Sequence, residues 1–264
     1  MWIAAIVHVL VLNAVPLWGF TQASWSAGTT LALYWLQTLV GIPLIAILIV
    51  FHRRFTRKAG HFAGTTTITD SKGNTTVRPS SFLQTFLLMS LPFTLAHGLF
   101  LAVLLGFIWR GADSAVDPAD LRTGVVATLN VMAIGFALDC IGLARRPFSW
   151  IEFRAGSVLQ RTLVVHLAII FGMGLAALTG KDAAAFFAVF LGLKLLMDLL
   201  SEMPQWDPKE PPAWLARWMN KLGNKDGKQE DFASAWHRGL EERRRNAEIA
   251  ERPIEELDPA IRQR

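Results

Sequence analysis

In the stretch FLGLKLLMDLLSEMP, residues 190–204, an otherwise apolar segment carries Lys194 and Asp198. A spacing of four puts both on one side of a helix, close enough to pair. At about 100° per residue, Lys194 lies about 160° and Asp198 about 120° from Gly192, so the pair turns away from the small residues of that helix. A charge near mid-membrane costs about 2.5–3.5 kcal/mol or more, and less near the interface. Two readings stay open. Either the ions satisfy one another, with Lys194 snorkelling, or they line a polar pocket open to the cytoplasm.

Other polar side chains fall at related depths. His8, Asp139, Arg161 and Glu202 lie in the inner half or at the inner interface, and His97, Asn130 and His166 lie midway. Lys194, Asp198, Asp139, Arg161 and His8 are the candidate pocket. His97 and His166 stand at similar depth on two helices, as a haem held by one neutral nitrogen on each side would require. Each can equally bond to Asn130 or to a carbonyl. No third carboxylate or His at that level completes a metal site. The expectation is no metal and no cofactor, with haem between His97 and His166 as the alternative. There is no HExxH, no Gly-x-Ser-x-Gly and no phosphate-cradling Gly loop, so no catalytic residue is assigned.

These depths depend on how the chain is threaded. Of its 264 residues 52% are hydrophobic, and they come in long runs rather than periodic patches, which points to a membrane protein. Six segments are apolar and long enough to span about 30 Å of hydrocarbon, which takes roughly 20 helical residues: 2–20, 29–51, 82–108, 121–143, 158–179 and 182–201. The first lacks a basic leader and a small-residue cleavage site, and reads as a retained helix. Lys and Arg crowd the connections at 52–80 and 144–161 and the tail after 201, and are sparse in the alternate loops. The positive-inside rule then puts both termini in the cytoplasm. Trp18, Trp25 and Trp109 fall at the outer interface, Trp150 and Trp206 at the inner one.

The predicted architecture is an all-α six-helix transmembrane domain, 1–203, with a cytoplasmic tail, 204–264. In the loop 52–80, TTTITDSKGNTTV reads as a small hairpin. In the tail, AWLARWMNKLG puts Trp214, Leu215, Trp218 and Leu222 on one face with Arg217, Lys221 and Lys225 near it. That pattern suits the inner leaflet or a docked helix equally. A second helix is expected near 230–250. Ala168, Gly172 and Ala176 on the fifth segment and Ala184, Ala188 and Gly192 on the sixth form stripes that let backbones approach, which predicts a tight antiparallel hairpin. The lone Cys140 excludes an intramolecular disulfide and multi-cysteine metal sites. The net charge of +5 sits in loops and suits anionic lipid better than nucleic acid.

Several motifs in order resemble a family of bacterial and archaeal integral membrane proteins classed as a domain of unknown function. They are Asn13 and Pro16, Trp25 and Ser26, Tyr34 and Trp35, His97 with Gly98 and Phe100, Arg161 with His166, and Lys194 with Asp198. The resemblance covers residues 10–202. It departs at Gln37, where the family pattern has Glu. It implies a bacterial inner-membrane, multi-pass protein and carries no activity. The function expected from the residues is transport or conduction of a small solute, proton or ion through the polar pocket. A membrane scaffold or assembly partner, and a His-ligated haem or metal redox protein, are the alternatives. Expected partners are the lipid bilayer and a second copy or another membrane protein, with no nucleic acid.

Overall fold

A computed structural model describes residues 2–62, 64–69, 75–103, 105–106, 116–179, 183–202, 208–223 and 231–256; for 2–4, 64–79, 201, 222–223 and part of 159–188 it describes the backbone alone. The described chain is built of eight helices: α1 (Trp2–Thr21), α2 (Ala27–Thr56), α3 (Phe82–Val103), α4 (Pro118–Cys140), α5 (Phe148–Thr179), α6 (Ala183–Glu202), α7 (Ala213–Gly223) and α8 (Phe232–Glu251). Between α2 and α3, strands β1 (Gly64–Thr69) and β2 (Thr75–Ser80) pair antiparallel, Gly64 opposite Ser80 and Thr69 opposite Thr75. The turn expected at Lys72–Asn74 lies outside the described residues, as do Trp109 and Trp206. Among the described residues, α2, α3 and α4 are long and apolar enough to cross a membrane.

Capping fixes the starts of two of these. Ser26 accepts from the Thr29 amide at 3.0 Å and begins α2. Asp117 accepts from the amides of Ala119 and Asp120, and Pro118 fills the first helical position, where a missing N–H costs nothing. The Asp117 amide also donates to Thr29 Oγ1 at 2.9 Å, which ties the start of α4 to the start of α2. At its other end α2 closes on Arg57 in the left-handed region, φ 49°.

α2 is the centre of the bundle, packed on α1, α3, α4 and α5, while α6 lies against α5 and α1. Two apolar clusters form along it. Leu31 and Tyr34 join Leu101, Phe190 and Leu191 in one; Ile42, Leu48 and Ile49 join Phe86, Leu143, Phe148, Ile151 and Val158 in the other. Between them α2 presents Gln37, Thr38 and Gly41 to a cavity. Buried positions include Asn13, Gln37, Thr94, His97, Thr128, Lys194 and Asp198, whereas Leu95, Leu99, Ile134, Leu163 and Leu196 are exposed. Polar groups inside and large apolar ones outside are the reverse of a water-soluble bundle.

Two expectations change. The fifth helix begins at Phe148, ten residues before the expected start, so Arg154 belongs to α5 and is not a solvated loop charge. The cause is Pro147, which ends the preceding turn and whose carbonyl accepts from the Trp150 amide. The α3 helix is described to Val103, with helical turn again at 105–106, and the expected end at 108 lies outside the described residues. Gly192 is exposed, and a side chain there would meet nothing within 4 Å, so it is no part of a close approach to α5. The charged face of α6 is the one turned inward.

The tail folds back on the bundle. Lys58 pairs with Glu251, whose other oxygen accepts from the Ser149 amide at 3.1 Å; Ala59 N–H donates to Arg252 O at 2.8 Å and Ile254 N–H to Arg57 O at 3.0 Å. Under this seam lie two fully buried imidazoles. His52 Nε2 is 3.1 Å from Arg146 O, which can only accept, so it carries the proton; His52 Nδ1 is then bare and His61 Nε2–H donates to it at 2.7 Å. The Phe62, Phe82 and Phe148 rings pack around His61. Burial, then the charges of His52, Arg53 and Lys58, hold the His61 pKa down at about 3.

Candidate functional site

Helix α1 contains Pro16, which has no N–H to give to the carbonyl four residues back. That carbonyl, Leu12 O, instead accepts a long bond from Gln37 Nε2, 3.4 Å, and Gln37 also reaches Thr128 Oγ1 at 3.4 Å. One amide thus joins α1, α2 and α4. An ionised Glu has no hydrogen to donate to a carbonyl, so the neutral amide of Gln37 is what allows this bond.

One residue further, Asn13 reaches α6. Its Nδ2 donates to Asp198 Oδ2 at 2.9 Å and to Val9 O at 2.9 Å, and its Oδ1 accepts from Lys194 Nζ at 3.0 Å. Only this amide orientation gives the ammonium an acceptor and the carboxylate a donor. Lys194 Nζ donates to Asp198 Oδ2 at 2.6 Å. Its ammonium also stands 4.4 Å from the centre of the Tyr34 ring, a cation–π contact that gains from desolvation. Lys194 and Asp198 are 4% and 3% exposed, too buried for a snorkelling lysine.

Lys194 and Asp198 line a small, partly open pocket together with Leu12, Tyr34, Gln37, Gly41 and Met132. A second pocket shares Leu12, Gly41, Met132 and Val158 with the first and is lined also by His8, Asp139 and Arg154. There Arg154 clamps two helices. Nη2 donates to Asp139 Oδ1 at 3.0 Å, and Nη1 to the Glu202 oxygens at 3.0 and 3.3 Å. The Trp150 ring lies 5.7 Å from its guanidinium. His8 lies on Gly135, where any side chain would overlap its ring.

Lys194 and Asp198 line one of two neighbouring pockets and Asp139 and His8 the other; the Arg161 side chain lies outside the described residues. Arg154, Asn13 and Gln37 belong to the site and were not among the pocket residues read from the sequence. Asn130 takes no part: it is exposed and donates to its own helix at Val126 O, 2.9 Å.

His97 and His166 meet, with their Nδ1 atoms 3.1 Å apart and their rings at 63°. Metal–imidazole bonds of roughly 2 Å would hold two ligands on opposite haem faces about 4 Å apart. Direct contact of the two rings leaves no slot for a macrocycle, so these residues do not fit a haem between them. Among the described residues no three His, Cys, Asp or Glu are grouped as a metal site would need.

A family model described as a family of unknown function, DUF6498, matches residues 3–214, and the chain belongs to that family. No curated protein and no solved structure matches it.

Proposed function

We propose that this member of a family without assigned activity is a multi-pass inner-membrane protein that passes a small solute, proton or ion through the cavity beside Asn13, Lys194 and Asp198. The observation that carries the reading is a desolvated ion pair facing an open volume. Intramembrane charges are costly and are retained where they line a path or bind a ligand. A pair needed only for folding is commonly replaceable by well-packed apolar residues.

The threading behind this reading has six spans, α1 to α6, with both termini inside. Two contacts support it. The loop after α2, the start of α5 and the tail meet one another through Lys58, Ser149 and Glu251. The starts of α2 and α4 meet at Thr29 and Asp117. Six spans put the first group on one side of the bilayer and the second on the other. Exposed apolar residues on the helices between them suit contact with lipid.

Purified protein in liposomes tests the reading. Wild type should carry a flux that Asp198→Asn abolishes while keeping its fold. Wild-type flux indistinguishable from empty liposomes, across protons and the common monovalent ions, would refute it. The scaffold alternative rests on the exposed Trp214 and Trp218 of α7, and predicts a stable partner co-purifying in mild detergent.

A further inference from the structure

Resting on the transport reading above, we infer that His97 and His166 form a proton relay, which makes the proton the transported ion. Among the described residues His97 is buried, its Nε2 has no hydrogen-bond partner, and its Nδ1 is 3.1 Å from Nδ1 of His166. Nearly all buried polar atoms are satisfied, so a histidine pair that leaves one ring nitrogen open is more than a structural contact requires, and an open imidazole nitrogen is a group able to exchange a proton.

The bond dictates the tautomers. One Nδ1 must be protonated and the other bare. A neutral imidazole holds one proton, so the two rings carry opposite tautomers. Take His97 as the donor. Its Nε2 is then bare and His166 Nε2 is protonated. A proton arriving at His97 Nε2 makes that ring cationic; the Nδ1 proton of His97 crosses to Nδ1 of His166; His166 releases its Nε2 proton. One proton enters and one leaves. Both rings end neutral with exchanged tautomers, and rotation of the rings resets them.

The surroundings suit a relay that leaks little. The Phe100 ring lies 4.7 Å from the His166 ring and 6.2 Å from the His97 ring. One helical turn beyond His97, Leu101 enters the apolar cluster that holds Phe190 and Tyr34. Tyr34 is the residue whose ring touches the Lys194 ammonium. The histidines and the ion pair therefore border the same apolar cluster.

Glutamine separates relay from mere structure, because its amide keeps a hydrogen bond but cannot pass a proton along. Full-length protein is reconstituted in liposomes holding a pH-sensitive dye, as wild type, His97→Gln, His166→Gln and Asp198→Asn, with wild type also run in D2O. Each glutamine variant should lose proton flux by about a hundredfold, the scale of a lost acid–base group, with thermal unfolding unchanged, and wild-type flux should slow in D2O. Glutamine variants conducting at the wild-type rate overturn the relay. If Asp198→Asn is inactive in the same assay, the pocket reading stands alone. A wild type that moves another ion and no protons overturns the relay only, and one that moves nothing overturns both. Should neither glutamine variant fold, a wild-type flux equal in H2O and D2O overturns it.

Discussion

The side chains that matter most are those whose partner sits on another helix. Lys194 and Asp198 are within 4% of full burial, so removing one strands the other. Lys194→Leu or Asp198→Leu should each cost about 3–5 kcal/mol in thermal or denaturant unfolding, and the double change much less. A double variant no more stable than the worse single contradicts the pair. His61 gives a prediction in pH. Its folded pKa of about 3 lies below its ordinary 6.5, so between those values the unfolded chain holds the extra proton and stability rises with pH, by up to about 1.4 kcal/mol per unit. Unfolding temperatures of wild type in detergent should fall as pH drops below 6.5, and less steeply for His61→Gln. Equal slopes would argue against burial of a neutral ring. The pairing of Lys194 with Asp198 was legible because spacing along one helix encodes it. Asn13 as their third member was not, since nothing in a sequence states which face α1 turns to α6. The Gln37 bond to Leu12 was half legible: Pro16 announces a vacant carbonyl but not its taker. His52 and His61 left no signal, because they meet only after α2 ends on Arg57.

At the level of elements, Gly135 sets the distance between α1 and α4. Gly135→Val should push His8 aside and destabilise by about 1–3 kcal/mol, as overpacking does; a variant as stable as wild type would mean that His8 does not lie there. The tail is held at few points, so its attachment should break separately from the bundle. Glu251→Ala removes the partner of Lys58 and of the Ser149 amide. Hydrogen exchange at the Ala59 and Ile254 amides should then quicken, with α2 unchanged. Apolar runs revealed the helices themselves, and the pattern in AWLARWMNKLG revealed α7. The start of α5 was misplaced because Arg154 and Glu152 make residues 148–157 look like a loop. Pro147 was the signal to the contrary, and it counts for more than the charges, since a part-buried clamp on Asp139 and Glu202 absorbs Arg154. α5 and α6 do pack together as the short link between them suggested, but Gly192 was assigned to that contact from spacing alone, and spacing cannot tell an inward face from an outward one.

For the whole molecule, one arrangement unites these parts: a polar layer between two apolar clusters. Reporter fusions after residues 65 and 230 should read cytoplasmic and one after 115 external; any reversal breaks the six-span threading. The central claim is that water reaches the Asn13–Lys194–Asp198 site from the cytoplasmic side. Cys140 is the chain's single cysteine, so Cys140→Ser gives a clean background. Thr38 lines the cavity beside Lys194 and Asp198, and Thr38→Cys places one thiol there. A membrane-impermeant maleimide should label that thiol in inside-out vesicles and not in right-side-out ones, with Leu95→Cys on the exposed apolar surface as the unlabelled control. Labelling from the outside, or none from either side in a folded protein, would contradict an inward-opening path.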